Sequence, residues 1–310
     1  MSSHHYTSVL ALSRDETLDV LARASKLKQD WSTDPKFLKR LRGMTLAAIY
    51  EKPSLRTRVT FEAGMTQLGG HTIYLGPDDI KLGKRESIAD VAQNLSRWVQ
   101  IIMARTFEHR TVTELARWSR VPVINGLSDW EHPCQALADF LTLQEHLGTC
   151  EGKKLAYIGD GNNMAHSLIL MGALLGTHVA VATPEGYAPQ PAILDQAQPH
   201  AGRSGAQISV TRDPFEAVRN ADAIYTDVWA SMGQEDEAAE RKQIFADYQV
   251  TPELMAASGK PGTIFMHCLP AHRGEEASAD VVDGPQSVIF DQAENRLHAQ
   301  KALILWLLGR

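Results

Sequence analysis

Lys154-Leu155-Ala156-Tyr157-Ile158-Gly159-Asp160-Gly161-Asn162-Asn163-Met164 is the stretch that decides the fold class. Five residues of strand character enter a glycine-containing turn, and 164–175 then repeats apolar residues at helical spacing. Strand, tight turn and helix make half of a βαβ unit. The pattern recurs in both directions. Downstream, 178–182, 207–211, 223–227 and 264–267 read as strands and 215–219 as a helix. Upstream, 44–50, 72–75, 101–104 and 121–124 read as strands, interleaved with helical spacing over 56–69, 88–98 and 112–120. Such alternation predicts an α/β protein of two domains, each a parallel sheet covered by helices on both faces. The join is expected where a long helix, 133–147, ends at Gly148. The domains are therefore 1–147 and 148–310, with the last helix, 294–308, returning to pack on the first.

At 310 residues, 44% of them apolar, the chain can fill two cores. Its net charge of -6 argues against a protein that wraps nucleic acid, which requires a positive excess to neutralise phosphates. The longest apolar runs, such as 302–308, fall well short of the roughly 20 residues that cross a bilayer. Residues 1–6 are polar and carry no apolar h-region, so neither signal peptide nor anchor is expected. Three cysteines, at 134, 150 and 268, are too few to staple the fold and fit a reducing cytoplasm. Neither HExxH nor CxxC occurs, so no metal is expected, and no cofactor.

Several turns after predicted strands carry chemistry. Pro53-Ser54-Leu55-Arg56-Thr57-Arg58 follows the strand ending at Tyr50 and opens a helix. Unpaired first-turn N–H groups, the helix dipole, hydroxyls and guanidinium together make an anion site. The competing reading is that Ser54 only caps the helix. Arg105, at the end of the strand 101–104, is a second anion ligand. His132-Pro133-Cys134-Gln135 opens another helix, and His132 with Gln135 can polarise a carbonyl, with Asp139 to orient a partner. Gly159-Asp160-Gly161-Asn162-Asn163-Met164 begins like a dinucleotide fingerprint, but Met164 stands in place of the third glycine. It reads equally as a substrate turn using Asn163, or as a plain βα turn. Asp227 and Cys268 each end a strand of the second half, where a carboxylate and a thiol suit an amine. His267 reads as a satisfied core histidine. The segment 231–242 is rich in charged and amide groups and reads as a long loop of the kind that forms lids.

Together, Ser54-Leu55-Arg56-Thr57-Arg58, His132-Pro133-Cys134-Gln135, Asp227…Ser231-Met232-Gly233, His267-Cys268-Leu269-Pro270 and Glu294-Asn295-Arg296-Leu297-His298 resemble the aspartate/ornithine transcarbamylase family. HCLP and SMG mark the ornithine-using branch, since aspartate-using relatives carry HPLP. The resemblance implies transfer of the carbamoyl group from carbamoyl phosphate to L-ornithine, giving L-citrulline and phosphate, in a homotrimer or a multiple of trimers. It implies that Ser54, Leu55 (by its backbone), Arg56 and Thr57 hold phosphate. Arg105, His132 and Gln135 would bind the carbamoyl end, with Cys268, Leu269 and Arg296 closing that pocket. Asn163, Asp227, Ser231 and Met232 would hold ornithine, and Cys268, Asp227, Arg105 and His132 would be catalytic. Two departures stand out: the family's STRTR reads SLRTR here, and Lys81 replaces a usual Gln on a loop from which a relative's lysine enters a neighbouring subunit. Putrescine as acceptor, a nucleotide-dependent oxidoreductase built on the GDGNNM turn, and a non-catalytic binding protein are the rival readings.

Overall fold

A computed structural model describes residues 4–30, 39–83, 85–230 and 235–310. The chain forms two compact units, Met1–Leu141 with Glu294–Arg310, and Thr142–Ala293. In the first unit the elements run α1 (Arg14–Asp30), β1 (Thr45–Tyr50), α2 (Leu55–Gln67), β2 (His71–Leu75), α3 (Pro77–Ile80), α4 (Ile88–Trp98), β3 (Ile101–Arg105), α5 (His109–Trp118), β4 (Val123–Leu127) and α6 (Pro133–Leu147). The second holds β5 (Lys154–Ile158), α7 (Asn163–Leu175), β6 (His178–Ala182), α8 (Pro191–Ser204), β7 (Ile208–Thr211), α9 (Pro214–Val218), β8 (Ala223–Thr226), α10 (Ala238–Ile244), α11 (Pro252–Ala256), β9 (Ile264–His267) and α12 (Ala279–Val282). The last helix, α13 (Ile289–Leu307), belongs to the first unit from Glu294 onward. The division between units falls inside α6, ahead of the join expected at Gly148.

Every strand pair is parallel, in the orders β2-β1-β3-β4 and β7-β6-β5-β8-β9. The central strands of both sheets are buried on two faces, while the edge strands β2 and β7 are only partly covered. Ala47, Ile49, Ile102, Ala104 and Val123 pack against Val91, Ala92, Val112 and Leu115 of α4 and α5. The alternate residues Leu46, Ala48, Ile101 and Met103 are also buried, as the period of two requires. In the second unit Ala156, Ile158, Ala180, Ala182, Ile224 and Phe265 share one core. On alternate positions Tyr157 and Tyr225 stack at 5.9 Å between centroids. Each buried Val, Leu, Ile, Met or Phe among them contributes about 1.5–3 kcal/mol by leaving water, and each Ala less. Among the described residues no helix is long and apolar enough to cross a membrane.

Four expectations are corrected. The fourth strand is Val123–Leu127, not 121–124. It runs through Asn125 and Gly126, poor strand formers by propensity, because both of its edges are paired. Its register with β3 shifts between Ala104 and Arg105, which pair with Asn125 and Leu127, so Gly126 is the extra residue of a bulge on β4. Second, 231–242 is not one long loop, since Ala238–Ile244 is helical. Alanine, glutamate, arginine, lysine and glutamine are strong helix formers. Third, the last helix starts at Ile289, five residues early, so 289–293 still belong to the second unit. Fourth, α1 and α8 were not foreseen as helices. The strands at 154–158, 178–182 and 264–267, and the helix at 88–98, stand as expected.

Candidate active site

In the first sheet the strand order reverses between β1 and β3, and their carboxyl ends are where a ligand binds in such folds. Ser54 lies there in extended backbone and caps α2, its Oγ accepting from the Thr57 N–H at 3.3 Å. Ser54 therefore does act as a cap. No acidic residue occupies that helix's first turn, so its positive end is left uncompensated by local charge. Of the two arginines, Arg56 acts on the buried cluster described below. Arg58 turns away, 2.9 Å from Glu62 and stacked over the Tyr74 ring at 4.0 Å. The Leu55 side chain is 74% exposed, which leaves only its backbone facing the turn.

Arg296, on α13, is almost fully buried and joins three helices. Its Nη1 donates to Gln135 Oε1 at 2.6 Å and its Nη2 to Thr57 Oγ1 at 3.3 Å. Gln135 Nε2 in turn donates to Asp139 Oδ1 at 2.8 Å, one helical turn on. Asp139 thus orients Gln135, as its spacing had implied. His132 opens the same helix and is buried. Burial holds its imidazole well below the usual histidine range, and Arg296, Arg105, Arg56 and Lys52 push it the same way. A neutral ring among four cations is a hydrogen-bond partner for a carbonyl, in a setting that attracts an anion. Lys52 was not foreseen. Burial, and then Arg105, lower its ammonium to about 8, and its Nζ stands 4.9 Å from the centre of the Phe107 ring. The signal was its position just past β1. Lys81 sits exposed at a left-handed turn after α3 (φ 44°) and joins none of these contacts.

The second sheet reverses between β5 and β8, and its cluster again lies beyond those strands. Asp227, 8% exposed, follows β8. Its Oδ1 accepts from Cys268 Sγ at 2.9 Å and from the Val228 N–H at 2.8 Å, and its Oδ2 from Asn162 Nδ2 at 3.1 Å. The structure thus brings Asp227 and Cys268 together, and it adds Asn162, which sequence reading passed over for its neighbour. Asn162 also caps α7, taking the Met164 and Ala165 N–H groups on Oδ1. Asn163 is the first residue of that helix. Ser231 and Met232 lie outside the described residues.

His267 is a satisfied core histidine, as expected. Its Nδ1 accepts from the Leu269 N–H at 2.8 Å, which leaves the ring proton on Nε2, 3.1 Å from Glu276 Oε1. The ring braces the turn that carries Cys268, where Leu269 is held at φ 61° in the left-handed region. Strain of this kind in a bulky residue marks functional turns. The glycine turn is not a dinucleotide cradle. A Cβ on Gly161 would stand 2.3 Å from Pro189 N, so this glycine makes room for neighbouring chain. Met164 is buried. Asp160 is paired with Arg241 at 2.8 Å. Arg241 also donates to Glu237 at 2.8 Å and to the Trp229 carbonyl at 3.0 Å, so one buried guanidinium ties α10 to the turn and to the chain after Asp227. Nothing in composition marked it.

Two family models match, the carbamoyl-P binding domain of aspartate/ornithine carbamoyltransferase over residues 4–145 and its Asp/Orn binding domain over 151–307. The chain is 53% identical to an ornithine carbamoyltransferase of Thermococcus kodakarensis, covering 95% of this chain and 93% of that one. It is equally similar, at 53%, to one from Symbiobacterium thermophilum, over 100% of this chain and 99% of the relative. Among solved structures, ornithine carbamoyltransferase from Pyrococcus furiosus matches with a TM-score of 0.95 and 50% identity over 99% of this chain and 98% of that one.

Replacing Arg241 by Met strands the buried Asp160 carboxylate. We expect a loss of about 3–5 kcal/mol in unfolding free energy by urea titration. Asp160→Asn added to that variant is expected to return part of it, and no loss in the single variant would show the pair to be idle.

Proposed function

The chain belongs to the aspartate/ornithine carbamoyltransferase family, and from that premise we propose that it transfers the carbamoyl group of carbamoyl phosphate to the side-chain amine of L-ornithine, giving L-citrulline and phosphate. The observation that carries the reading is the convergence of Arg56, Arg105, Arg296 and Lys52 on the neutral, buried His132. Carbamoyl phosphate is a dianion with one electrophilic carbon, and it requires an anion cradle beside a carbonyl polariser. Ser54, the Leu55 backbone, Arg56, Thr57 and Lys52 serve the phosphate. Arg105 spans phosphate and carbamoyl oxygen. His132, Arg105 and Thr57 meet the charge that grows on that oxygen as the tetrahedral carbon forms. Gln135 Oε1, with one lone pair taken by Arg296, has a second for the carbamoyl NH2.

Ornithine's amine attacks only when neutral. Asp227 binds it and takes the proton it sheds, while Cys268 and Asn162 hold the carboxylate in place. The C–N bond forms first, giving the tetrahedral carbon; its collapse breaks the C–O bond, and phosphate leaves paired with Arg56, taking the second proton from the new nitrogen. Much of the rate comes from aligning two bound reactants. In this reading 1–147 is the carbamoyl phosphate domain and 148–310, less the returning helix, the ornithine domain, with Asn163, Ser231 and Met232 completing the ornithine contacts. No nucleic acid or membrane takes part. Three free cysteines agree with a cytoplasmic enzyme.

Incubation with carbamoyl phosphate and either ornithine or putrescine is expected to yield carbamoylated product from ornithine alone. Product from putrescine only would overturn the second unit's assignment. The Lys52 ammonium, depressed by burial, is charged below about pH 8 and lost above it. The kcat/KM for carbamoyl phosphate at saturating ornithine is therefore expected to fall as pH rises through about 8. Lys52→Met should lower the plateau and remove that inflection; an unchanged profile assigns it elsewhere. Finally, we propose a homotrimer in which Lys81 reaches the neighbouring copy's phosphate. Sedimentation at three chain masses and a raised carbamoyl phosphate KM in Lys81→Gln are expected, and an unchanged KM removes the role of Lys81.

A further inference from the structure

The first residues of the chain run along the outer edge of β4. Tyr6 bridges Ile124 in parallel. The Tyr6 N–H donates to the Val123 carbonyl at 2.8 Å and the Asn125 N–H to the Tyr6 carbonyl at 2.8 Å. The Val123 N–H reaches His5 Nδ1 at 3.2 Å, and Asn125 Nδ2 reaches the Thr7 carbonyl at 3.1 Å. Residues 5–7 therefore cover an edge that would otherwise present unpaired backbone. The chain then bends into a short 3-10 turn, Val9–Ala11, capped by the Ser8 hydroxyl. At that bend the Val9 N–H donates to Glu131 Oε2 at 2.8 Å.

Glu131 is an unusual residue for this place. It is 1% exposed, beside the equally buried Tyr6 and Val9. An apolar side chain would fill the space without the cost of burying a carboxyl group. That cost is visible in its titration, which burial pushes up to about 7. What distinguishes the position is its neighbour, His132. The turn leading into His132 is tied to itself, with the Ser128 N–H on the Glu131 carbonyl at 3.0 Å and the Glu131 N–H on Ser128 Oγ at 3.3 Å. On one side it is anchored to the end of β3, where the Asp129 N–H donates to the Phe107 carbonyl at 3.0 Å. On the other side its anchors are the N-terminal residues, through Glu131 to Val9 and through Asn125, which holds both Ser128 Oγ at 3.3 Å and the Thr7 carbonyl.

We propose that Glu131 is a positioning residue: by accepting the Val9 N–H it makes the N-terminal segment a strap that fixes the His132 turn for polarising the carbamoyl carbonyl. The proposal rests on the carbamoyl-transfer reading above. It is tested with three full-length proteins. Glu131→Gln keeps an acceptor for Val9. The double variant Val9→Pro/Glu131→Leu removes the Val9 bond at both ends; the Ser8 hydroxyl, the other donor to Glu131, is half-buried and can turn to water, so no buried group is stranded, and proline suits the first position of a helical turn. Misplacing a polarising group by about an ångström costs up to about a hundredfold. The double variant is expected to lose tenfold to a hundredfold in kcat/KM for carbamoyl phosphate at an unchanged KM for ornithine, and amide exchange at residues 5–9 is expected to quicken. Glu131→Gln should stay within about twofold of wild type in both. Wild-type turnover in a folded double variant, or a raised KM for ornithine with kcat unchanged, overturns the proposal alone. Wild-type protein that forms no citrulline overturns the reading of the site, and this proposal with it.

Discussion

A parallel sheet that winds one way from its first strand and then the other way leaves a gap that its own connections cannot close. The two crossovers leave the neighbouring strands in opposite directions, and the crevice between them opens at the carboxyl ends. Both sheets of this chain have that gap, at β1/β3 and at β5/β8. Several of the chemically distinctive residues follow the strands that border them. Ser54, Arg56 and Thr57 follow β1, and Arg105 closes β3. The Asn162 turn follows β5, and Asp227 follows β8. The central strands are otherwise buried on both faces, chiefly among apolar residues.

Given that gap, the first unit meets a problem of charge. Four cations near one another repel, and the deep burial of Arg296 raises the cost further. The protein manages this with neutral partners. Gln135 and Thr57 receive the Arg296 guanidinium, and Asp139 acts on it at one remove, through the Gln135 amide. A carboxylate placed directly on the guanidinium would satisfy it and cancel the field that an incoming dianion feels. Relaying through an amide keeps the geometry fixed while leaving more of the positive potential for the ligand. Burial, reinforced by the same field, keeps His132 neutral.

The parts of this arrangement legible in the sequence are those set by neighbours along the chain. Strands such as 154–158 and 264–267 are short apolar runs, and the turns after them announce themselves with Gly, Ser, Arg or His at a helix start. What escaped reading depends on contacts distant in sequence. The strand through Asn125 and Gly126 contradicts local propensity and exists because β3 and Tyr6 pair with it from either side. Asn162 came into view only once β8 brought Asp227 alongside. Arg241 looked like one charge in a polar run, yet 81 residues of sequence separate it from the Asp160 it neutralises. Lys52 was hidden for the opposite reason: a lysine beside a cluster of arginines reads as more solvated surface until burial is known.

The second unit shows the converse of the first. On the proposed reading, Asp227 attracts a cation and accepts a proton from it, and a permanent positive partner would defeat both tasks. Its three donors are an amide, a thiol and a backbone N–H, none of them charged. They fix the carboxylate's orientation without spending its charge. The one strong cation nearby, Arg241, is held on Asp160, Glu237 and the Trp229 carbonyl. Asp160, 2.8 Å from Arg241, keeps that guanidinium committed to scaffolding and so off Asp227, which also lies at the end of a strand. Two carboxylates of the same type at adjoining strand ends thus take different roles, set by which of them the arginine can reach.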